Sequence, residues 1–410
     1  MVCCIMIPRM RVLIVSPRQC WPLTNGARLR EYHLARYLGR HAEITSVFFA
    51  SPHSPPLDRE NLPFCRSLIA VPPPRKNTPW KLLRGLGSRH PLPVLNYWSV
   101  AMEATLSRLI KNQPFDLVQL ESIHMAAYAP LFARAGKSIP VVYNWHNIES
   151  ELWNRYAATV PSFARSVYAS VTARRIAAIE TRVLASAFGH LVCSERERDK
   201  LLAFEPGARI AVIPNGVDTE FFQRTTQPSG DRFRLLFVGL MSYYANVDAA
   251  VRFTHLCWPV IRERFPQWKF TIAGANPDPA VVALQSEPAV EVTGTVPDLR
   301  AYYNQAFAAI VPLRFGGGTR LKVLEAMAAG VPVLSTTLGV EGLDVLPGKH
   351  FLVVDDDSLW LPTLEGLWQD DLQRQSLVDA ALQLVRTRYA WDVVGASLFS
   401  TYVEWLAHKS

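Results

Sequence analysis

Thirteen short runs rich in Val, Ile, Leu and Phe recur along this chain, and helix-length segments separate most of them. In the first half they are RVLIVSP (11–17), EITSVFFA (43–50), SLIAV (67–71), FDLVQLE (115–121), IPVVYNW (139–145), HLVCS (190–194) and RIAVIPNG (209–216). The second half adds RLLFVG (234–239), KFTIAG (269–274), VEVTGT (290–295), FAAIVPL (307–313), VPVLST (331–336) and FLVVDD (351–356). Continuous apolar runs are what strands need when both faces of a sheet are covered. The segments between them carry a helical period, as in ARLREYHLARYLGR (27–40), where Leu29, Tyr32, Leu34, Ala35 and Leu38 fall on one stripe. Strand and helix in alternation predict α/β architecture with parallel sheets.

A chain of 410 residues exceeds the size, about 250 to 300 residues, at which one core stops growing, so two domains are expected. The turn-rich, apolar-poor stretch after PNGVD marks the join. The expected division is a disordered leader at 1–10, a Rossmann-like domain at 11–215, a linker at 216–232, a second Rossmann-like domain at 233–388, and a C-terminal helix at 389–410 that can pack back on the first domain. The six cysteines (Cys3, Cys4, Cys20, Cys65, Cys193, Cys257) show no metal-ligand spacing and fit a reduced, cytoplasmic compartment better than a disulfide framework. No apolar run reaches the ~20 residues that cross a bilayer.

Charge is uneven: residues 1–218 carry 27 Lys and Arg against 15 Asp and Glu, and 219–410 carry 16 against 20. Between Glu60 and Glu103 there is no acid, and Arg75, Lys76, Lys81, Arg84 and Arg89 interleave there with Trp80, Leu82, Leu83 and Leu86. That mixture suits an anionic membrane surface or a phosphate-bearing acceptor; a solvated basic loop is the plain alternative. No nucleic-acid-binding pattern accompanies the charge, so no nucleic-acid partner is expected.

In parallel α/β sheets, ligands bind beyond the carboxyl ends of strands. Asn25-Gly26 follows the first strand and opens a helix. His146 follows IPVVYNW, beside Trp145, Asn147 and Glu149, where an imidazole can exchange hydrogen bonds with a substrate; Glu121 ends another strand. The acids Asp355, Asp356 and Asp357 read as helix caps rather than metal ligands. No dinucleotide fingerprint, P-loop or nucleophile elbow occurs. In RFGGGTRLKVLEAMAAG (314–330), glycine N–H groups, a helix start and the cations Arg320 and Lys322 together make an anion cradle. A turn with a surface Lys322/Glu325 pair is the bland alternative.

Tandem α/β halves, PNGVD, and RFGGGTRLKVLEAMAAGVPVLST together resemble the GT-B retaining glycosyltransferases of family 4, group 1, in the branch found in bacterial exopolysaccharide clusters. The resemblance covers nearly the whole chain from Met10 and is strongest in FVGLMSYYANVDAAVRF, VTGTVPDLRAYY and 311–343. It implies two Rossmann-like domains with an interdomain cleft. It also implies transfer of a sugar from a UDP-, GDP- or similar nucleotide sugar to a hydroxyl acceptor, which can be lipid-linked, at the cytoplasmic membrane face. No cofactor and no metal are implied. His146 is similar to a family histidine near the donor sugar, and Glu325 to a ribose ligand. Asn25 and Gly26 match a loop that closes over donor and acceptor. Gly239, Gly316, Gly317, Gly318 and Thr319 fall where the donor is held, and Thr295 and Val296 where the base sits. Two departures stand out. The family's first glutamate falls at Gly317, and the Arg and Lys that usually follow the first strand of the second domain are missing, leaving Arg320 and Lys322, with Arg314 a third candidate, to meet the diphosphate. A sugar-nucleotide epimerase on the same scaffold and a catalytically silent nucleotide-binding protein are the competing readings.

Overall fold

The computed structural model describes residues 9–51, 57–87, 91–134, 138–160, 162–223, 233–317 and 320–408. Most of the expected leader and half of the expected linker therefore lie outside the described residues, as do Gly318 and Thr319.

Each of the thirteen runs contains a strand. In the first unit (Met1–Pro214 with Val394–Ser410) these are β1 (Met10–Ser16), β2 (Ala42–Phe49), β3 (Cys65–Val71), β4 (Leu117–Glu121), β5 (Val141–Asn144), β6 (Gly189–Val192) and β7 (Ile210–Val212). They pair in parallel in the order β3-β2-β1-β4-β5-β6-β7. The second unit (Asn215–Val393) holds β8 (Arg234–Val238), β9 (Lys269–Ala273), β10 (Val290–Gly294), β11 (Ala308–Val311), β12 (Val333–Ser335) and β13 (Leu352–Val353). Their order is β10-β9-β8-β11-β12-β13, also parallel. Counted within each unit, both sheets begin 3-2-1-4-5-6, the doubly wound order whose winding reverses between the first and fourth strands.

The burial explains the apolar runs. Val12, Leu13, Val15, Leu117, Val118 and Leu120 in the first sheet, and Leu235, Leu236, Phe237, Phe270 and Ile272 in the second, are fully buried because helices cover both faces. The last helix, Trp391–Ala407, leaves the second unit and packs on the first: His41 stacks on Phe399 at 4.7 Å between ring centroids, and the Tyr402 hydroxyl donates to Gln119 Oε1 on β4 at 2.6 Å. The helix Gly26–His41 buries Leu34, Ala35 and Leu38 as its period predicts, and it also buries Arg30 and Glu31. Inside, Arg30 is held by Asn144 at the end of β5 and Glu31 by Ser16 at the end of β1.

Candidate functional site

Where the winding reverses in the first unit, the chain leaving β1 and the chain leaving β4 diverge and open a crevice. A network of polar side chains fills it. Glu121, at the end of β4, accepts at Oε2 from Asn144 Nδ2 (2.8 Å) and bonds there to His146 Nε2 (2.9 Å), while Gln119 donates to its other oxygen. Asn144 in turn accepts from Arg30 Nε and Nη2 at 3.0 and 2.8 Å, and Arg30 Nη1 donates to the carbonyls of Ile213 and Pro214. Glu31 accepts from the Ser16 hydroxyl at 2.7 Å, with His146 Nε2 3.6 Å and Arg18 3.9 Å from its other oxygen. A chain of hydrogen bonds thus runs from Tyr402 through Gln119 and Glu121 to His146.

Burial sets the protonation of this cluster. It pushes Glu31 up to about 6, against the pull of Arg18, and raises Glu121 against its hydrogen bond from Gln119. The same burial pushes His146 down to about 3, partly offset by Glu31, so the imidazole is neutral at neutral pH. The hydrogen bond between Nε2 and Glu121 Oε2 fixes the orientation of the ring. Glu31, Glu121 and His146 place one ligand atom each within 4.8 Å of one another, a donor set that a divalent cation can accept. Arg18 and Arg30 already oppose the two carboxylates, so an added dication would leave the cluster with excess positive charge.

The second unit reverses its winding between β8 and β11, and a different chemistry collects there. Gly239 follows β8 directly. Gly274, after β9, packs against it: a Cβ on Gly274 would fall 1.7 Å from the Gly239 carbonyl oxygen, so no other residue fits that backbone, whose φ is +151°. After β11 the chain runs through Arg314 and Phe315 to Gly316, whose φ of +118° again requires glycine. The Gly317 N–H donates to the Tyr243 hydroxyl at 3.4 Å, and Arg320 Nη1 donates to the Gly317 carbonyl at 2.6 Å. The helix Leu321–Ala328 begins immediately after.

Lys322 points from this helix towards β8. Its Nζ donates to Asn246 Oδ1 at 2.8 Å, lies 4.3 Å from the centre of the Phe237 ring, and stands beside Gly239. Burial, reinforced by the neighbouring Arg320, pushes Lys322 down to about 7. Glu325, one turn on, accepts from the Tyr303 hydroxyl at 3.0 Å, and burial raises its carboxyl. Glycine backbone, two cations and a held carboxylate therefore share one strand-end crevice, an arrangement suited to a polyanion carrying hydroxyl groups.

The structure brings Gly239, Gly316, Gly317, Arg320, Lys322 and Glu325 together in this crevice. Thr295 and Val296 stand at the end of β10, two strands out from β8, with Thr295 exposed. Asn25 caps the helix at Gly26, accepting from the Arg28 N–H at 3.1 Å. Arg314 is bound bidentately by Asp248 at 3.0 and 2.6 Å, which sets it apart from Arg320 and Lys322. Asp355 holds Thr337, Asp356 caps Ser358 and Asp357 pairs with Arg252, so the three acids have separate structural partners. Sequence reasoning missed Glu31, Arg30, Asn144, Asn246 and Tyr303. Only Glu31 and Arg30 left a signal, two charges adjoining the apolar stripe of a helix that opens after the first strand.

Two family models match the chain: one described as Glycosyltransferase Family 4 over residues 24–221, and one as Glycosyl transferases group 1 over residues 232–370. A glycogen synthase of Mycobacterium tuberculosis (strain ATCC 25618 / H37Rv) is 26% identical over 245 residues, which is 56% of this chain and 57% of the relative. The chain thus matches little more than half the length of that curated relative. Among solved structures, sucrose-phosphate synthase from Thermosynechococcus elongatus superposes with a TM-score of 0.67 at 16% identity, covering 97% of this chain and 100% of the other. Anabaena HepE in complex with UDP and glucose superposes with a TM-score of 0.64 at 13% identity, covering 96% and 99%. These likenesses show the fold.

Proposed function

Because the chain belongs to the group 1 glycosyltransferases of family 4, we propose that it moves a sugar, with retention, from a nucleoside diphosphate donor to a hydroxyl group. The observation that carries this reading is the crevice beyond β8 and β11, where Gly316 and Gly317, Arg320, Lys322 and Glu325 converge. Departure of a nucleoside diphosphate leaves at least two negative charges beside an oxocarbenium-like sugar. Fixed donors aimed at that charge are the main catalytic resource, because they need no reorganisation as it develops. Arg320 offers a planar fork and Lys322 a point charge to the diphosphate, and Glu325, kept in place by Tyr303, accepts from ribose. Gly317 brings a backbone N–H where relatives carry a carboxylate.

In the transfer step the bond from the anomeric carbon to the diphosphate breaks, and the acceptor oxygen bonds to that carbon on the same face. The acceptor proton passes to the departing phosphate oxygen. His146, neutral and oriented by Glu121, contributes a hydrogen bond to the sugar as charge develops. A solved relative held with UDP and glucose supports a uridine donor as the first to try.

The acceptor is assigned to a polysaccharide or glycolipid intermediate at the cytoplasmic face of a membrane. The helix Pro79–Gly87 supports it: Trp80 is 68% exposed and Leu83 64%, beside Lys81 and Arg84. No helix among the described residues is long and apolar enough to cross a membrane, so contact would be peripheral. Its salt sensitivity follows from screening over about 8 to 10 Å at physiological ionic strength. Incubation with a panel of UDP-, GDP- and ADP-sugars, read by nucleotide release and mass spectrometry, tests the reading. Failure to bind any nucleotide sugar rejects it, a new sugar nucleotide formed without acceptor favours an epimerase, and binding without turnover across acceptors favours a silent protein.

A further inference from the structure

Among the described residues, the crossover from β4 to β5 has no full-length helix. A six-residue turn of 3₁₀ helix, Ile123–Tyr128, and a five-residue helix, Ala129–Ala133, stand there, whereas the crossover from β1 to β2 has a 16-residue helix. The covering layer is thin over that face of the sheet, and a cavity of about 690 Å³ opens in it. Small-molecule sites span ~300 to 1,000 Å³.

Val94, Leu95, Ile139, Tyr143, Ile179 and Val183 line its depth, and each is buried. Sugars and nucleotides fit this lining poorly, since their hydroxyl and phosphate groups would be stranded without partners. Among the described residues, the charged ones that line the cavity are Arg84 and Arg182, both exposed, and no carboxylate lines it. Among the described residues neither guanidinium has an ion-pair partner. Trp98, itself exposed, also lines the cavity, Trp80 and Leu83 are exposed on the helix that carries Arg84, and Arg175 Nη1 donates to the Gly85 carbonyl at 2.5 Å, tying the helix Phe163–Ser186 to the helix Pro79–Gly87. An apolar bore with two unpaired cations at its rim matches one kind of molecule, a hydrocarbon chain ending in an anion.

We infer that this cavity binds the chain of an anionic lipid, with Arg84 and Arg182 holding its phosphate headgroup at the mouth. The site is built from the face of the first sheet, apart from the carboxyl ends where Glu121 and His146 lie, so it stands whether or not the chain transfers sugar.

Calorimetric titration of the full chain with octyl, decyl and dodecyl phosphate below their micelle concentrations tests it, with inorganic phosphate and decanol as controls. Binding should tighten about threefold to fourfold per added methylene, and inorganic phosphate alone should not bind measurably. Arg84→Gln with Arg182→Gln should weaken decyl phosphate tenfold or more and leave decanol unchanged. Val183→Trp, which fills the bore, should abolish the dependence on chain length. Equal affinity at every chain length, inorganic phosphate binding as tightly as decyl phosphate, or an affinity untouched by the arginine pair would overturn the proposal. The arginine variants lie on the surface, so they decide the matter even where Val183→Trp fails to fold. Nucleotide-sugar turnover is read separately, which keeps failure here distinct from failure of the transferase reading.

Discussion

The crevice beyond β1 and β4 is lined by side chains that satisfy one another, whereas the crevice beyond β8 and β11 is lined by glycine backbone, two cations and the Tyr303-held carboxylate of Glu325. In the first, Glu31 and Glu121 face Arg18, Arg30 and His146, and nearly every polar atom has a partner within the unit. In the second, among the described residues, Lys322 is held by the amide of Asn246 and the face of Phe237, and no carboxylate there bonds its ammonium. Two sheets with the same winding order thus carry different chemistry at their reversal points. One holds a neutral imidazole in a fixed orientation; the other sets two cations beside glycine backbone, where the proposed donor's diphosphate would bind. The lesson is that a shared fold places the sites and the loop residues decide their chemistry.

This contrast can be broken by substitution. The largest effect belongs to the second unit: Arg320→Met or Lys322→Met should each slow transfer ~10² to 10³-fold, the usual cost of removing one donor to developing negative charge. Both should raise the donor dissociation constant in direct titration. His146→Ala should lower kcat by about 10²-fold, the lower end for a group that assists in the transition state, while donor affinity stays within twofold. A loss of donor affinity from His146→Ala equal to that from Lys322→Met would erase the division.

The pH dependence is smaller and sharper. Lys322 is cationic only below about 7, because burial opposes its charge, so affinity for a nucleoside diphosphate should fall as pH rises through 7, by at most about tenfold for each step of one in pH. Lys322→Arg keeps its charge and should flatten the profile. In the first unit the linkage appears in stability instead. Glu31 has a folded value near 6 against 4.5 unfolded, so the folded state holds that proton more tightly, and stability declines as pH rises from 4.5 through 6. Glu31→Gln should therefore stabilise the chain at pH 7.5 by about 2 kcal/mol, since each tenfold difference in proton affinity between the folded and unfolded chain is worth roughly 1.4 kcal/mol. The gain should vanish below pH 4.5 in denaturant unfolding.

The sheets were legible because strands covered on both faces must be apolar throughout, and all thirteen runs hold strands. The glycine segment was legible because Gly316 occupies a backbone conformation that leaves a mark in the sequence. Partners were not. Tyr303 lies 22 residues from Glu325, and Asn246 lies 76 from Lys322; nothing local announces such pairs. Glu31 was hidden differently, because a charge next to an apolar stripe reads as solvated surface until the strand ends it meets are known. The cavity under Ile123–Ala133 escaped for the same reason, since a missing helix is visible only against the helices around it.

Amide hydrogen exchange of the full chain, with and without saturating UDP, ADP or GDP, tests the central claim most directly. The nucleotide that binds should slow exchange across residues 239–246 and 314–325 of the second unit and leave 116–146 of the first unchanged. Measurable nucleotide binding that protects the first unit's crevice alone, with 314–325 unaffected, would contradict it.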